Sequence, residues 1–503
     1  MNLSDLIDRN AAFDPGKPAL RFEGLALSYA EFSARIAAAA GALARLGVGR
    51  GDRVAVLALN DPELLVLLYA CARRGAMLLP LNWRLAVAEQ AYILADAGAR
   101  ALLVQEAFGA VLPEVRARLP GTAVLGLDHA PEAGAAWADL RDGAGAGGDG
   151  LLRDPVLLVY TSGTTGRPKG AVLTQEALVW NGLMSQHMHG LTAADHVLAV
   201  LPFFHVGGLN IQATPALHLG ATVTVHPRFA PAATLAALAQ DRPSLTLLVP
   251  ATLQALIAEP GFGAADLSSL RALSTGSTYV PQDLVDALEA RGVPVLQVYG
   301  ATETGPVSVY TRLGGDRSRP GSTGLPGLAC ACRVVDEAGR EAAPGASGEI
   351  WLRGPHLFSG YWRNAAATAE ALRDGWFLTG DVGRRDPDGY LTVHDRKKNL
   401  IISGGENISA AEVERVLLGH PAVAEAAVIG RPDPRWGEVP VARVVLHPGA
   451  ACAPDELVAH VLGQLARFKA PREVRFVASL PRNALGKVQH HLVRAADEAG
   501  REA

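Results

Sequence analysis

Tyr160-Thr161-Ser162-Gly163-Thr164-Thr165-Gly166-Arg167-Pro168-Lys169-Gly170 closes an apolar run that begins at Val156. Besides the tyrosine, these eleven residues hold four hydroxyl side chains, three glycines and one lysine. Glycines let the backbone bend so that several N–H groups converge, hydroxyls add donors, and Lys169 supplies a counter-charge, which is the composition of a phosphate cradle. The spacing is not that of the Walker A loop, because two residues separate Gly163 from Gly166 and the lysine comes three residues after the second glycine. A Ser/Thr/Gly-rich surface hairpin has the same composition, so the stretch alone leaves both readings open.

Outward from the cradle the chain alternates. Tyr29 to Leu46 has helical spacing, opens on the Ser-x-x-Glu box Ser28 to Glu31 and stops at Gly47. A strand over 53–59, a helix over 62–74, a strand over 76–80, a helix over 86–97 and a strand over 101–105 follow. Such alternation predicts an α/β domain with a largely parallel sheet. Asp142 to Gly150 is low-complexity and reads as a solvated loop. Beyond the cradle, Ala171 to Leu173 reads as a return strand and Thr174 as a helix cap. Strands are predicted over 197–201, 222–225, 246–249 and 295–298. From Gly321 to Val393 short strands alternate with turns such as Asp386-Pro387-Asp388-Gly389, a β-rich subdomain. Past Arg396 comes a unit with helices over 410–418 and 454–465 and strands over 423–429, 439–446 and 473–476, enough for a small domain.

A chain of 503 residues exceeds one compact core, and with 49% hydrophobic and 19% charged residues it can bury two or more. A net charge of −4 gives no electrostatic reason to expect nucleic acid or an anionic membrane as partner. MNLSDLIDRNAAFDPGK carries acids where a signal peptide has a basic start, so export is not expected. The most apolar stretch, Leu64 to Leu81, is broken at Arg73, Arg74 and Gly75, short of the ~20 residues that span a bilayer. Four cysteines without a CxxC pair fit a reduced, cytoplasmic setting. Cys330 and Cys332 share one face of a predicted strand, as packed residues rather than a metal site.

Four further stretches matter: Tyr299-Gly300-Ala301-Thr302-Glu303, Gly375 to Asp381, Asp395 to Asn407 and Pro481 to Lys487. With the cradle, in this order, they resemble the adenylate-forming superfamily of acyl-CoA synthetases, luciferases and peptide-synthetase adenylation domains, from about residue 10 to the C-terminus. The resemblance implies an α/β chain: a large N-terminal ATP- and acyl-binding domain (1–395) of layered sheets and helices with the β-rich subdomain, a hinge (396–398) and a small mobile α+β lid (399–503). It also implies ATP and Mg²⁺, with coenzyme A as co-substrate, and is compatible with a homodimer.

Under that resemblance Thr161, Ser162, Gly163, Thr164, Thr165 and Lys169 hold the β and γ phosphates, with Thr165 also near the metal. Tyr299 and Gly300 lie on the adenine, an aromatic face that a buried core tyrosine would equally present. Thr302 touches the α-phosphate, and Glu303 holds Mg²⁺, a hard cation that takes carboxylate oxygen. Asp381, at a strand end, accepts from the ribose hydroxyls with Arg396 beside it. Lys487 bridges the carboxylate and the α-phosphate, where a placed ammonium stabilises charge that grows in the transition state. Lys398 is the hinge, and its rotation brings Gly404 and Gly405 to the pantetheine arm and Trp436 and Lys469 to the nucleotide end of CoA. An ordinary basic surface explains Lys469 as well. Asp395 stands where most relatives have glycine.

The acid is read from Leu201 to Val225, which lacks lysine and arginine and would line the acyl pocket beside His205, Gly276, Ser277 and Tyr279. A second carboxylate there would be a costly unpaired charge, so an apolar tail is expected. Phe203, Phe204 and Tyr279 suit a hydroxycinnamate such as ferulate, but aromatic residues also pack alkyl chains, which leaves aryl and medium- or long-chain acids both open. Bulky Tyr279 stands where relatives often carry a smaller residue. The expected activity is ATP-dependent acid–CoA ligation; loading of a separate carrier protein is the alternative.

Overall fold

The computed structural model describes residues 1–129, 135–141, 147–161, 168–277, 280–396, 399–403, 406–434, 436–465, 467–483 and 486–499. The chain forms two compact units: Met1–Cys332 with Leu352–Phe377, and Arg333–Trp351 with Leu378–Ala503. The strands of the β-rich subdomain are shared out between the units.

Two sheets organise the first unit. In the eight-stranded one, strands Arg53–Leu57, Met77–Pro80, Ala101–Val104 and Pro155–Thr161 run parallel, and Lys169–Thr174 then returns antiparallel to Pro155–Thr161. Helix Pro62–Arg74 joins the central strands. Asp61 caps it, proline occupies its first turn and Gly75 ends it in the left-handed region. Helix Tyr29–Arg45 starts on the expected capping box between Ser28 and Glu31. The nine-stranded sheet sets Val295–Tyr299, Ala272–Gly276, Leu245–Leu247 and His196–Ala199 side by side, parallel, with Thr222–Val225 next to the last. Its far edge is the pair Pro18–Phe22 and Leu25–Ser28, which the sequence reading leaves without structure. Helices Pro231–Gln240, Pro250–Ile257 and Gln282–Glu289 cover one face over a core that includes Leu238, Leu253, Leu273 and Leu288.

A five-stranded sheet comprises Ala331–Val335, Ser347–Arg353, Trp376–Arg385, Leu372–Arg373 and Leu391–Arg396, and the division between units falls within three of these strands. Cys332 lies on the first of them and Cys330 just before it, both buried. In the second unit, antiparallel strands Val423–Asp433 and Gly437–Leu446 pair through ten residue pairs with one irregularity, and Glu473–Phe476 adds a parallel strand. Helices Ala410–Leu418 and Pro454–Leu462 pack on the sheet through Val413, Leu417, Leu457 and Val461. Among the described residues no helix is long and apolar enough to cross a membrane.

Candidate active site

The apolar strand Pro155–Thr161 ends at the cradle, and the return strand puts Lys169 directly opposite Thr161. Ser162, Gly163, Thr164 and Thr165 lie outside the described residues. Tyr160 donates to Asp96 across 2.5 Å, which ties the mouth of the hairpin to helix Val87–Ala97. On its other side the return strand pairs with Gly360–Tyr361, whose Tyr361 lies opposite Ala171. The Lys169 ammonium therefore sits 5.4 Å from the centre of the Tyr361 ring.

Tyr361 reaches a second predicted residue. Its hydroxyl donates to Oε1 of Glu303 across 2.7 Å, and Glu303 is 9% exposed. The Glu303 backbone is tied to the same segment, because its carbonyl accepts from Phe358 N–H at 2.8 Å. Lys169 of the cradle and the expected cation ligand thus meet around one tyrosine, although 133 residues separate them by number (303 less 169, less one).

Glu303 belongs to a loop at the carboxyl end of strand Val295–Tyr299, where ligands bind in sheets of this kind. Tyr299 ends the strand, and Gly300 is there of necessity, since a Cβ would overlap the Pro306 carbonyl oxygen. Thr304 closes the turn that presents Thr302 and Glu303: its hydroxyl accepts from Ala301 N–H at 3.0 Å. Buried amides hold the rest. Asn181 accepts from Val307 N–H at 2.9 Å and donates to the Asn210 carbonyl at 2.7 Å, while Asn210 donates to the Gly305 carbonyl at 3.0 Å.

On the neighbouring parallel strand Gly276 pairs in register with Val298, and its missing Cβ makes room for the Val298 carbonyl. Ser277, next along, has φ +72°, left-handed backbone that a serine adopts only at a cost of about 1–3 kcal/mol when its surroundings hold it there. Tyr279 lies outside the described residues. His205 sits on a loop clamped by Asn60, which accepts from Phe203 N–H at 2.8 Å and donates to the Leu201 carbonyl at 2.9 Å. The His205 ring lies 4.7 Å from that of Phe204, with Trp83 beyond it at 6.3 Å. Burial, with a smaller contribution from Arg84, lowers the His205 pKa to about 4, so the ring is neutral at pH 7.

The remaining predicted residues belong to the second unit. Asp381 is 7% exposed and lies inside strand Trp376–Arg385 rather than at a strand end, with Gly380 before it at φ +68°. Arg396 is its direct partner in the register of the two strands. Lys398, Gly404 and Gly405 fall outside the described residues. Trp436 is 38% exposed, and Lys469 is paired with Glu412 at 2.6 Å. Lys487 is half-buried; its N–H donates to the Asn483 side chain at 2.9 Å and its carbonyl accepts from Asn483 N–H at 2.8 Å.

Residues 7–362 match the family model described as AMP-binding enzyme, and residues 412–487 match its C-terminal domain. The chain belongs to the AMP-binding enzyme family. Among its relatives, an indoleacetate–CoA ligase of Aromatoleum aromaticum is 46% identical over 98% of this chain and 98% of that one. A feruloyl-CoA synthase of an Amycolatopsis species is 42% identical over 97% of each. The crystal structure of the anthranilate CoA ligase AuaEII with anthranoyl-AMP superposes with a TM-score of 0.92 at 28% identity, over 100% of this chain and 98% of that one. The adenylate-forming reading and its α/β fold stand, and this AMP-binding enzyme is an AMP-forming, ATP-utilising CoA ligase.

For an AMP-binding enzyme the motif reading misses the supports. Tyr361 carries no local signal, because its partners come from two other elements. Asn181 and Asn210 do carry one: each is a polar residue inside an apolar stretch, and both are at most 1% exposed.

Proposed function

We propose that the chain activates an aryl carboxylic acid as its acyl-adenylate and passes the acyl group to coenzyme A. Lys169 and the cradle hydroxyls hold the β and γ phosphates of ATP, and Thr302 meets the α-phosphate. A carboxylate oxygen of the acid attacks the α-phosphorus, the bond to the bridging oxygen breaks and pyrophosphate leaves. The CoA thiol, losing its proton, then attacks the acyl carbon and AMP leaves.

The observation that carries this reading is the Tyr361 hydroxyl bonded to Oε1 of Glu303 beside Lys169. It orients a buried carboxylate within the phosphate-binding region. Magnesium usually binds through one or two carboxylates plus substrate phosphates, so a single oriented Glu303, aided by Thr165, fits it. When bound, Mg²⁺ neutralises phosphate charge. Asp381 and Arg396, cross-strand partners, take the ribose. Lys487 bridges the attacking carboxylate and the α-phosphate. In this scheme residues 399–503 swing about a hinge at 396–398 centred on Lys398, after which Gly404, Gly405 and Trp436 receive CoA. Lys469 joins them by exchanging its pairing with Glu412.

An aryl acid is favoured by the ring cluster of Trp83, Phe204 and neutral His205, and by the indoleacetate, ferulate and anthranilate in the names of the relatives. Gly276, Ser277 and Tyr279 complete the acyl site. Four free cysteines, three of them buried, support a reducing, cytoplasmic setting. A panel of aryl and alkyl acids, scored by AMP released with free CoA and with a carrier protein, tests the reading. Arylacetates and hydroxycinnamates with CoA should give the highest kcat/KM; higher values for long-chain acids, or for carrier protein over CoA, would overturn it.

A further inference from the structure

Lys487 lies in a segment that the second unit grips from several sides. Pro481 accepts from Gln489 N–H at 2.9 Å, Asn483 and Lys487 bond each other's backbone and side chain, and Arg482 is paired with Glu425 at 2.7 Å. Arg482 also donates to the Gly486 carbonyl. Three residues past Lys487 comes His490, which opens helix His490–Ala499. Its Nε2 lies 2.6 Å from Oε1 of Glu414, a residue of helix Ala410–Leu418. The same Glu414 oxygen accepts from Val428 N–H of strand Val423–Asp433 at 2.7 Å. Glu414 is therefore immobilised by the sheet, and His490 is tied to it. At the other end of that helix the buried Asp497 is paired with buried Arg443 of strand Gly437–Leu446. Apolar packing alone would leave the start of the helix free to slide, because Val493 and Val488 meet Ile429 and Val441 without directional bonds.

We propose that His490 is a positioning residue for the adenylation half-reaction: through Glu414 it fixes the chain on the C-terminal side of Lys487, and so fixes where the ammonium can be delivered. This rests on the transition-state role of Lys487 given above. An ammonium misplaced by about 1 Å can cost up to roughly a hundredfold in rate. The thiol step makes no use of Lys487 in that reading, so it should not depend on His490.

The test uses the full-length protein with His490→Ala, His490→Gln, Glu414→Gln and Lys487→Ala. Each is measured for acid-dependent ATP–pyrophosphate exchange and for thioester formation from supplied acyl-adenylate and CoA. His490→Ala should lower the kcat of exchange roughly tenfold to a hundredfold, with little change in KM for ATP and less than about a twofold change in the thiol step. His490→Gln, whose amide N–H can stand in for Nε2, should recover most of the loss. Full exchange in His490→Ala beside none in Lys487→Ala would overturn the positioning role alone. Equal loss in both half-reactions, or no recovery with glutamine, would make His490 merely structural. Exchange surviving in Lys487→Ala would remove the Lys487 reading and this inference with it.

Discussion

A single tyrosine links the strand that carries Lys169 to the carboxylate proposed to meet the metal. Tyr361→Phe keeps the ring beside Lys169 and Phe358 but deletes the donor to Glu303. A hydrogen bond to a charged group contributes about 1.5–3 kcal/mol. At about 1.4 kcal/mol per factor of ten, pyrophosphate exchange at limiting Mg–ATP should fall roughly tenfold to a hundredfold. Titrating exchange against magnesium in the variant checks this, and an unshifted magnesium dependence would sever Tyr361 from the site. Lys169 and Glu303 each stand in a short motif of their own, which is why the sequence singles them out as candidates. Tyr361 is not singled out, since its role exists only once three distant segments converge.

The loop from Tyr299 to Ser308 owes its shape to neighbouring elements as much as to its own residues. Asn181, on helix Gln175–His189, serves Val307 and Asn210 at once, and all three are buried. Asn181→Ala leaves an N–H and a carbonyl unpaired, each costing about 1–3 kcal/mol. The first unit should lose about 2–6 kcal/mol, read from its denaturant midpoint, and exchange should fall with it; an unmoved midpoint would contradict the clamp. Helix limits are the best-predicted features because caps are local: Ser28 with Glu31, Thr174 with Ala177 N–H, and Gly75 all stand within a turn of the boundary. Strand Pro18–Phe22 escaped because its parallel partner, Thr222–Val225, is about two hundred residues away. Residues 206–218 escaped for a different reason. Their mixture of apolar residues with Asn210, Gln212 and Thr214 has no period to betray the short helices at Val206–Gly208 and Thr214–His218 or the π-helical turn Leu209–Ala213 between them.

Taken whole, the first unit should be sensitive to acid. His189 and His356 are fully buried, and burial lowers each pKa from 6.5 to about 4. Between those values the unfolded chain takes up protons that the folded chain refuses. Stability is then full above pH 6.5 and falls on acidification, by up to about 1.4 kcal/mol per pH unit for each histidine. Asp61 acts oppositely, since burial raises its pKa from 3.8 to about 6 and its contribution is lost as pH rises through 6. Two histidines outweigh one aspartate, so the apparent melting temperature should drop between pH 6.5 and 4.5; a flat profile would show that these rings protonate in place. At the same scale, Lys398→Pro should stiffen the hinge, sparing adenylation while slowing thioester formation at least about tenfold. Equal rates for wild type and variant in the thiol step would remove Lys398 from that role.

Under the proposed function one site completes an acyl-adenylate before the thiol arrives. Mixing the enzyme with radiolabelled aryl acid and Mg–ATP, without CoA, and quenching at short times measures this directly. We predict enzyme-bound acyl-adenylate approaching one equivalent per active site, discharged to thioester and AMP when CoA is added. Pyrophosphate that is released only in the presence of CoA, with no adenylate recovered at any time, would contradict it.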